Sequence, residues 1–237
     1  MSHHNYFCCM NWLNYFQRYR EPSVEVCSEK PMEVIKKLVP NTEGFVVQIG
    51  SHDGKTHDPL HALILERTAW RGLFVEPVPY LFEKLVANYP KSPRFYFEPS
   101  AINNGENASF YFVNLSDQEL HAFPEWVSML GSFKRSHILK HLDGSLEKHI
   151  EEIKIQGLKL HQLFQKYSID KIHVLHIDAE GYDWEILKQL DFREYLPTII
   201  LFEYAHLSGE EISLAKRFLS PRYNISVAGM DFLCVLR

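Results

Sequence analysis

From residue 45 onward the chain repeats one pattern: a short run of apolar and β-branched residues, a turn, then a stretch with helical spacing. A continuous apolar run has no wet face, so such strands must be covered above and below. Their alternation with helices predicts an α/β fold built on a mostly parallel sheet with helices on both faces. The clearest strands are 45–49, 72–76, 94–98, 109–113, 172–178 and 198–203. Helical spacing marks 60–66, 80–88, 158–167, 184–190 and 210–219. Two short apolar runs between 224 and 236, hinged at Gly229, predict a C-terminal antiparallel strand or hairpin.

A chain of 237 residues, 46% of them hydrophobic, can bury one substantial core, so residues 45–237 read as one domain. Residues 1–44 read as an N-terminal helical extension, with Pro31 opening a short helix that reaches Leu38. Tyr6, Phe7, Trp12, Leu13, Tyr15, Phe16 and Tyr19 crowd its first part. That aromatic stretch is expected to pack on the domain or on a second copy of the chain, giving a homo-oligomer. Residues 116–150 break the rhythm; they are polar and hold His121, His137, His141 and His149. An irregular insertion in a compact domain is expected to be a functional loop or cap, here on the substrate side.

The formal net charge of -5 offers no basic surplus to neutralise phosphates, which argues against a nucleic-acid partner. Cys8, Cys9, Cys27 and Cys234 lack the spacing of a zinc site. Adjacent Cys8 and Cys9 are a poor start for a disulfide framework, so a reducing, cytoplasmic setting is expected. No apolar run reaches the ~18 residues of a membrane span. Nor does a charged segment followed by an apolar one open the chain, as it would in a secretory leader.

Ligands of open α/β sheets bind beyond the carboxyl ends of the strands, so the residues standing there carry the chemistry. The first strand runs into Gln48-Ile49-Gly50-Ser51-His52-Asp53-Gly54, where two glycines bracket a tight turn that a ligand can approach closely. It has neither the Gly-x-Gly-x-x-Gly of dinucleotide sites nor the Gly-Lys-Ser/Thr ending of a phosphate loop. The second strand ends in Glu76-Pro77, and an acid there can accept both ribose hydroxyls of a nucleoside. The third leads into Ser100-Ala101-Ile102, small and apolar enough for an adenine ring to lie against the backbone. A structural turn and a solvated strand-end acid would leave the same residues in these places. Taken together they describe a Rossmann-like domain for a nucleoside-containing cofactor.

The strand at 172–178 opens into His176-Ile177-Asp178-Ala179-Glu180-Gly181-Tyr182-Asp183-Trp184-Glu185-Ile186-Leu187. Acids directly after a buried strand are costly unless solvated, paired or used. Asp178 and Glu180 are expected to point into the cleft. Asp183 and Glu185 are expected in the first turn of the next helix, where negative charge suits the dipole.

This string resembles the signature of FkbM-type methyltransferases, Ile-Asp-x-Glu-Gly-x-(Asp/Glu)-x-Glu-(Val/Ile)-Leu after the fourth core strand. The resemblance extends to the first glycine turn, Phe74-Val75-Glu76-Pro77, Ser100-Ala101-Ile102 and Leu130-Gly131-Ser132-Phe133, so it covers about residues 45–205. It implies a class I methyltransferase that uses S-adenosylmethionine to methylate hydroxyls of sugars, glycans or secondary metabolites. By the resemblance, Gly50, Asp53 and Gly54 would line the methionine end of the cofactor, Glu76 would hold the ribose, and Ala101 would contact the adenine. Gln48, Ser51, Pro77, Ser100 and Asp178 complete the cofactor set, with Asp178 and Glu180 also facing the reacting centre. Two residues depart from the pattern. Many class I enzymes carry an acid where Gln48 stands, and an amide offers no charge to the cofactor's ammonium group. Many FkbM relatives carry Lys where His176 stands; a histidine there can be a base or a buried core residue.

Methyl transfer to a hydroxyl needs an in-line approach and a group to take the proton. Asp178 is the first catalytic candidate, then His176, with Glu180 beside them and a histidine of the insertion behind. Asp178 and Glu180 could instead ligate Mg²⁺ to lower the hydroxyl pKa; no metal ligands are otherwise assigned. The alternative to an enzyme is a non-catalytic Rossmann-like module for a nucleoside-containing cofactor or nucleotide sugar, which Gln48 and His176 keep open.

Overall fold

The structure is a computed structural model that describes residues 24–237. It opens with β1 (Glu25–Val26), α1 (Pro31–Leu38), β2 (Gly44–Ile49), α2 (His61–Glu66), β3 (Trp70–Val75), α3 (Pro79–Asn88) and β4 (Phe95–Glu98). The middle holds β5 (Ala101–Ile102), β6 (Ala108–Val113), α4 (Asp117–Leu120), β7 (Gly131–Ser132), α5 (Arg135–Leu139), β8 (Ile150–Ile155) and β9 (Gly157–Leu158). Last come α6 (Leu160–Lys166), β10 (Val174–Ile177), α7 (Asp183–Leu187), β11 (Ile199–Glu203), α8 (Gly209–Leu219), β12 (Tyr223–Ala228) and β13 (Asp231–Leu236).

Eight strands form the central sheet in the order β1-β12-β13-β11-β10-β2-β3-β4. Every pair is parallel except those of β13, which runs antiparallel to both β11 and β12. The apolar runs explain this sheet. All residues of β2 are buried, and successive side chains enter opposite layers. Phe45, Val47 and Ile49 pack with Leu163 and Phe164 of α6, Leu187 of α7 and Ile212 of α8. Val46 packs with Ile35 of α1, Ile64 of α2 and Leu85 of α3. Gln48 follows Val46, and its register partners are His176 of β10 and Phe74 of β3. The two residues that depart from the family pattern therefore stand side by side near the carboxyl ends of neighbouring central strands.

Local chemistry sets the helix starts. Pro31 and Pro79 open α1 and α3, where a missing N–H costs nothing and φ is already helical. Ser208 Oγ accepts from the Glu211 N–H at 3.3 Å, and Glu211 Oε2 accepts from the Ser208 N–H at 2.8 Å, capping α8.

Two regions differ from the sequence reading. Within the extension expected to be helical, α1 is a helix, but Glu25–Val26 pair in parallel with Ser226–Val227 and lengthen the sheet. The aromatic stretch from Tyr6 to Tyr19, and the oligomer expected of it, lie outside the described residues. The second region is the insertion. Its short helices pack around Val127, Leu130, Ile138 and Leu146, and β7 joins β6 and β8 in a three-stranded antiparallel sheet. Strand β8 was not anticipated, because Glu152 and Lys154 occupy one face and Glu151 interrupts the other, leaving little apolar signal. Among the described residues, no helix is long and apolar enough to cross a membrane.

Candidate active site

A cleft of about 890 Å³, its open mouth included, lies at the carboxyl ends of β2, β3 and β10. Its place at the strand ends is where open α/β sheets take small-molecule ligands. Of the residues singled out in the sequence, Gln48, Gly50, Ser51, Glu76, Pro77, Ser100, Ala101, His176, Asp178 and Glu180 line it. Asp53 and Gly54 do not. The Asp53 carboxylate turns back on its own loop, accepting from the Lys55 N–H at 2.9 Å, the Thr56 N–H at 2.7 Å and Thr56 Oγ1 at 2.7 Å. Burial opposes its charge, but hydrogen bonds from His52, Thr56 and Lys55 win and hold its pKa well below the usual value. Gly54 lies under α3: a Cβ there would stand 2.3 Å from Leu85.

Gly50 is where two strand ends meet. Its φ is +80°, and a Cβ would fall 1.7 Å from the carbonyl oxygen of Asp178. Only glycine lets the first strand's turn touch the loop that follows β10. Three cleft-lining residues with side chains, His52, His57 and Glu180, also hold a positive φ of 50°, 56° and 49°. Left-handed non-glycine residues of this kind collect where a surrounding structure enforces them, commonly at functional sites.

Glu76 is buried at the tip of β3. Its Oε2 accepts from the His52 N–H and its Oε1 from the Val78 N–H, both at 2.9 Å. Burial outweighs these bonds and pushes its pKa up to about 7.

Asp58 is the residue that sequence reasoning missed. Its Oδ1 accepts from Gln48 Nε2 at 3.2 Å and from the Leu60 N–H at 2.8 Å, and it lines the cleft. Burial pushes its pKa up. Its Oδ2, Gln48 Oε1 and His176 Nδ1 are buried without a hydrogen-bond partner in the structure. A carboxylate thus stands next to the amide that occupies the place of the family's acid. Nothing in the sequence around it sets Asp58 apart: it stands in a short stretch between the glycine turn and Pro59, past the strand end. His176 is fully buried, which pulls its pKa down to about 4 and leaves it neutral near pH 7.

Beyond Asp178 the negative charge thickens. The Asp183 carboxylate accepts from the Ala179 N–H at 2.9 Å and the Gly181 N–H at 3.0 Å, so it braces the loop that carries Glu180. Burial, and then Glu180, Asp183 and Asp231, push the Asp178 pKa well up. Burial and the same acids push Glu203, at the end of β11, up to about 12. Glu180 faces His137 of the insertion and His206 of the loop after β11. Glu203 and His206 also went unrecognised, one hidden as a strand end and the other as a lone loop histidine.

A mostly parallel sheet, one antiparallel strand wedged beside its C-terminal edge and a cleft at the strand ends make this the class I methyltransferase form of the Rossmann-like fold. Residues 48–224 match the methyltransferase FkbM domain, and the chain belongs to that family. No curated protein matches the sequence. Solved structures resemble it only distantly. A fibrillarin/Nop5p complex is 13% identical with a TM-score of 0.44, covering 84% of this chain and 74% of that one. Ribosomal protein L11 methylase from Lactobacillus delbrueckii subsp. bulgaricus is 12% identical with a TM-score of 0.40, covering 87% and 76%. A TehB-like SAM-dependent methyltransferase from Corynebacterium glutamicum is 10% identical with a TM-score of 0.39, covering 96% and 94%.

Proposed function

We propose that the cleft binds S-adenosylmethionine and that the chain methylates a hydroxyl oxygen of a sugar, glycan or secondary metabolite. The observation that carries this reading is a pair of carboxylates in one cleft, buried Glu76 at the tip of β3 and half-buried Asp58 beside Gln48, whose Oδ2 is buried and unpartnered. The donor set fits the cofactor: Glu76 can accept ribose hydroxyls, and Asp58 with Gln48 can accept from the methionine ammonium. Ser100 and Ala101 leave a flat wall for adenine. When bound, S-adenosylmethionine supplies an electrophilic methyl group on a sulfonium sulfur.

The chain's own residues then have three tasks. Glu76, Asp58 and Gln48 orient the cofactor, and this positioning supplies most of the acceleration. Leu130, Gly131 and Phe133 of the insertion border the cleft and narrow the way in for an acceptor. Asp178 would accept and hold the proton of the acceptor hydroxyl, a contribution of about 10²–10⁴ in rate, while the bound cofactor would supply the methyl group. His176, neutral with its pKa near 4, is a weak base at pH 7 and serves better as a hydrogen-bonding wall.

Calorimetric titration with S-adenosylmethionine and with its demethylated product tests the first step. Micromolar binding that Glu76→Ala abolishes supports the site; no heat in a folded protein overturns it. Mass-spectrometric search for a 14-dalton gain across sugar and glycan acceptors tests the second, with methylation confined to nitrogen or sulfur as the contrary result.

A further inference from the structure

One cluster of ligand-type side chains lies outside the cofactor machinery just described. His137 on α5, His141 in the turn after it, and His206 in the loop after β11 converge from two distant stretches of sequence. The ring centroids of His137 and His206 are 4.9 Å apart, those of His137 and His141 5.3 Å, and those of His141 and His206 5.7 Å. One nitrogen from each ring lies within 4.8 Å of the others. Glu180 stands beside two of them: its Oε2 is 3.3 Å from His137 Nε2 and 3.6 Å from His206 Nε2.

Charge-assisted hydrogen bonds between these groups would run about 2.7–2.9 Å. The two Glu180 separations are longer, and they fit another geometry. Four ligands held at about 2.0–2.1 Å around a tetrahedral cation stand roughly 3.4 Å from one another. Glu203 adds a second, independent sign. It is 5% exposed, its Oε1 lies 3.5 Å from His206 Nε2, and its Oε2 is buried with no hydrogen-bond partner. It faces the same His206 nitrogen as Glu180, so it stands as a further carboxylate ligand; an outer support would contact the other ring nitrogen.

We propose that His137, His141 and His206, with the Glu180 and Glu203 carboxylates beside them, form a binding site for a zinc-class divalent cation at the rim of the cleft. Three imidazoles joined by carboxylate suit Zn²⁺, Co²⁺ or Fe²⁺, whereas Mg²⁺ prefers oxygen ligands and its own water. Glu180 also lines the cleft, so the cation would sit one carboxylate away from the acceptor space. The inference concerns binding and stands whether or not the cleft transfers methyl groups.

The test uses the full chain, stripped with a chelator and titrated with Zn²⁺ by calorimetry and with Co²⁺ by visible absorption. One equivalent is expected to bind tightly, with the intense absorption of tetrahedral Co²⁺. His206→Ala and His141→Gln should each weaken binding by more than about 10-fold. His121→Ala, an exposed residue of the same insertion, should leave it unchanged. Circular dichroism confirms that each variant is folded, and His141→Gln stands in if His206→Ala is not. Absence of stoichiometric binding, or binding that survives the loss of His141 and His206, overturns the proposal.

Discussion

Gln48 donates to Asp58 at 3.2 Å, and the far oxygen of that carboxylate meets no hydrogen-bond partner. An amide at the end of β2 offers no charge to an ammonium, but here it holds a residue that does. On the proposed reading, the loop before α2 supplies the negative group that the strand lacks. Replacing Asp58 with Asn keeps its shape and removes its charge. The expected result is about 10- to 100-fold weaker binding of S-adenosylmethionine and of its demethylated product, the range for a lost charged hydrogen bond. Methylthioadenosine, which lacks the amino-acid end, should bind wild type and Asp58→Asn equally. A matching loss for all three nucleosides would mean that Asp58 shapes the cleft rather than reading the ammonium.

The contact between Gly50 and Asp178 makes a different kind of prediction, because the obstructing atom is backbone and cannot swing away. Gly50→Ala faces both a left-handed φ and a carbonyl oxygen 1.7 Å from the new Cβ. Gly229→Ala meets the same conformational strain, φ +72°, with nothing within 4 Å. Strain alone costs about 1–2 kcal/mol. Thermal unfolding should therefore drop by a few degrees in Gly229→Ala and by about 10 °C or more in Gly50→Ala. Similar losses in the two would show that the strand ends can part without penalty.

The strands were readable because their runs are apolar on both faces: Val46 and Val47 enter opposite cores, yet both demand burial. Glu76 and Asp178 were readable as cleft residues because strand ends are where open sheets bind ligands. Asp58 was not, since it lies past the strand end and only the fold brings its carboxylate back against Gln48. His137, His141 and His206 were beyond reach for another reason. Their proximity depends on how the insertion folds over the loop after β11, and no spacing in the chain records that contact. Strand β8 stayed hidden because pairing with β6, rather than its own apolar content, makes it a strand.

Glu76 links cofactor affinity to pH. Its carboxyl ordinarily titrates near 4.5 and burial raises it to about 7 in the folded chain. The folded state therefore binds this proton more tightly than the unfolded one. The stability this gives is complete below about 4.5 and is lost as pH rises through 7. Ribose hydroxyls donate to the ionised form, so affinity runs the other way. Binding of S-adenosylmethionine should strengthen about 10-fold between roughly pH 6 and pH 8, as the ionised fraction grows. Glu76→Gln should flatten that dependence in calorimetric titrations. A wild-type affinity that ignores pH would remove Glu76 from the ribose contact.

Asp178 sets function against stability. It stands in the cleft, tied by its backbone N–H to Ile49 at 3.0 Å, and its charge is opposed first by burial and then by Glu180, Asp183 and Asp231. A side chain kept there only for structure would be better neutral. Asp178→Asn relieves the repulsion without changing volume, so the metal-free protein should melt at a higher temperature by a few degrees. Cofactor affinity should change little, because Glu76 and Asp58 carry it. Methyl transfer should fall about 10²–10⁴-fold, the usual loss of a general base. Calorimetry, thermal unfolding and turnover on one preparation separate these effects. Full turnover in the more stable variant would pass the proton to another group, with the neutral imidazole of His176 next in reach along the same wall.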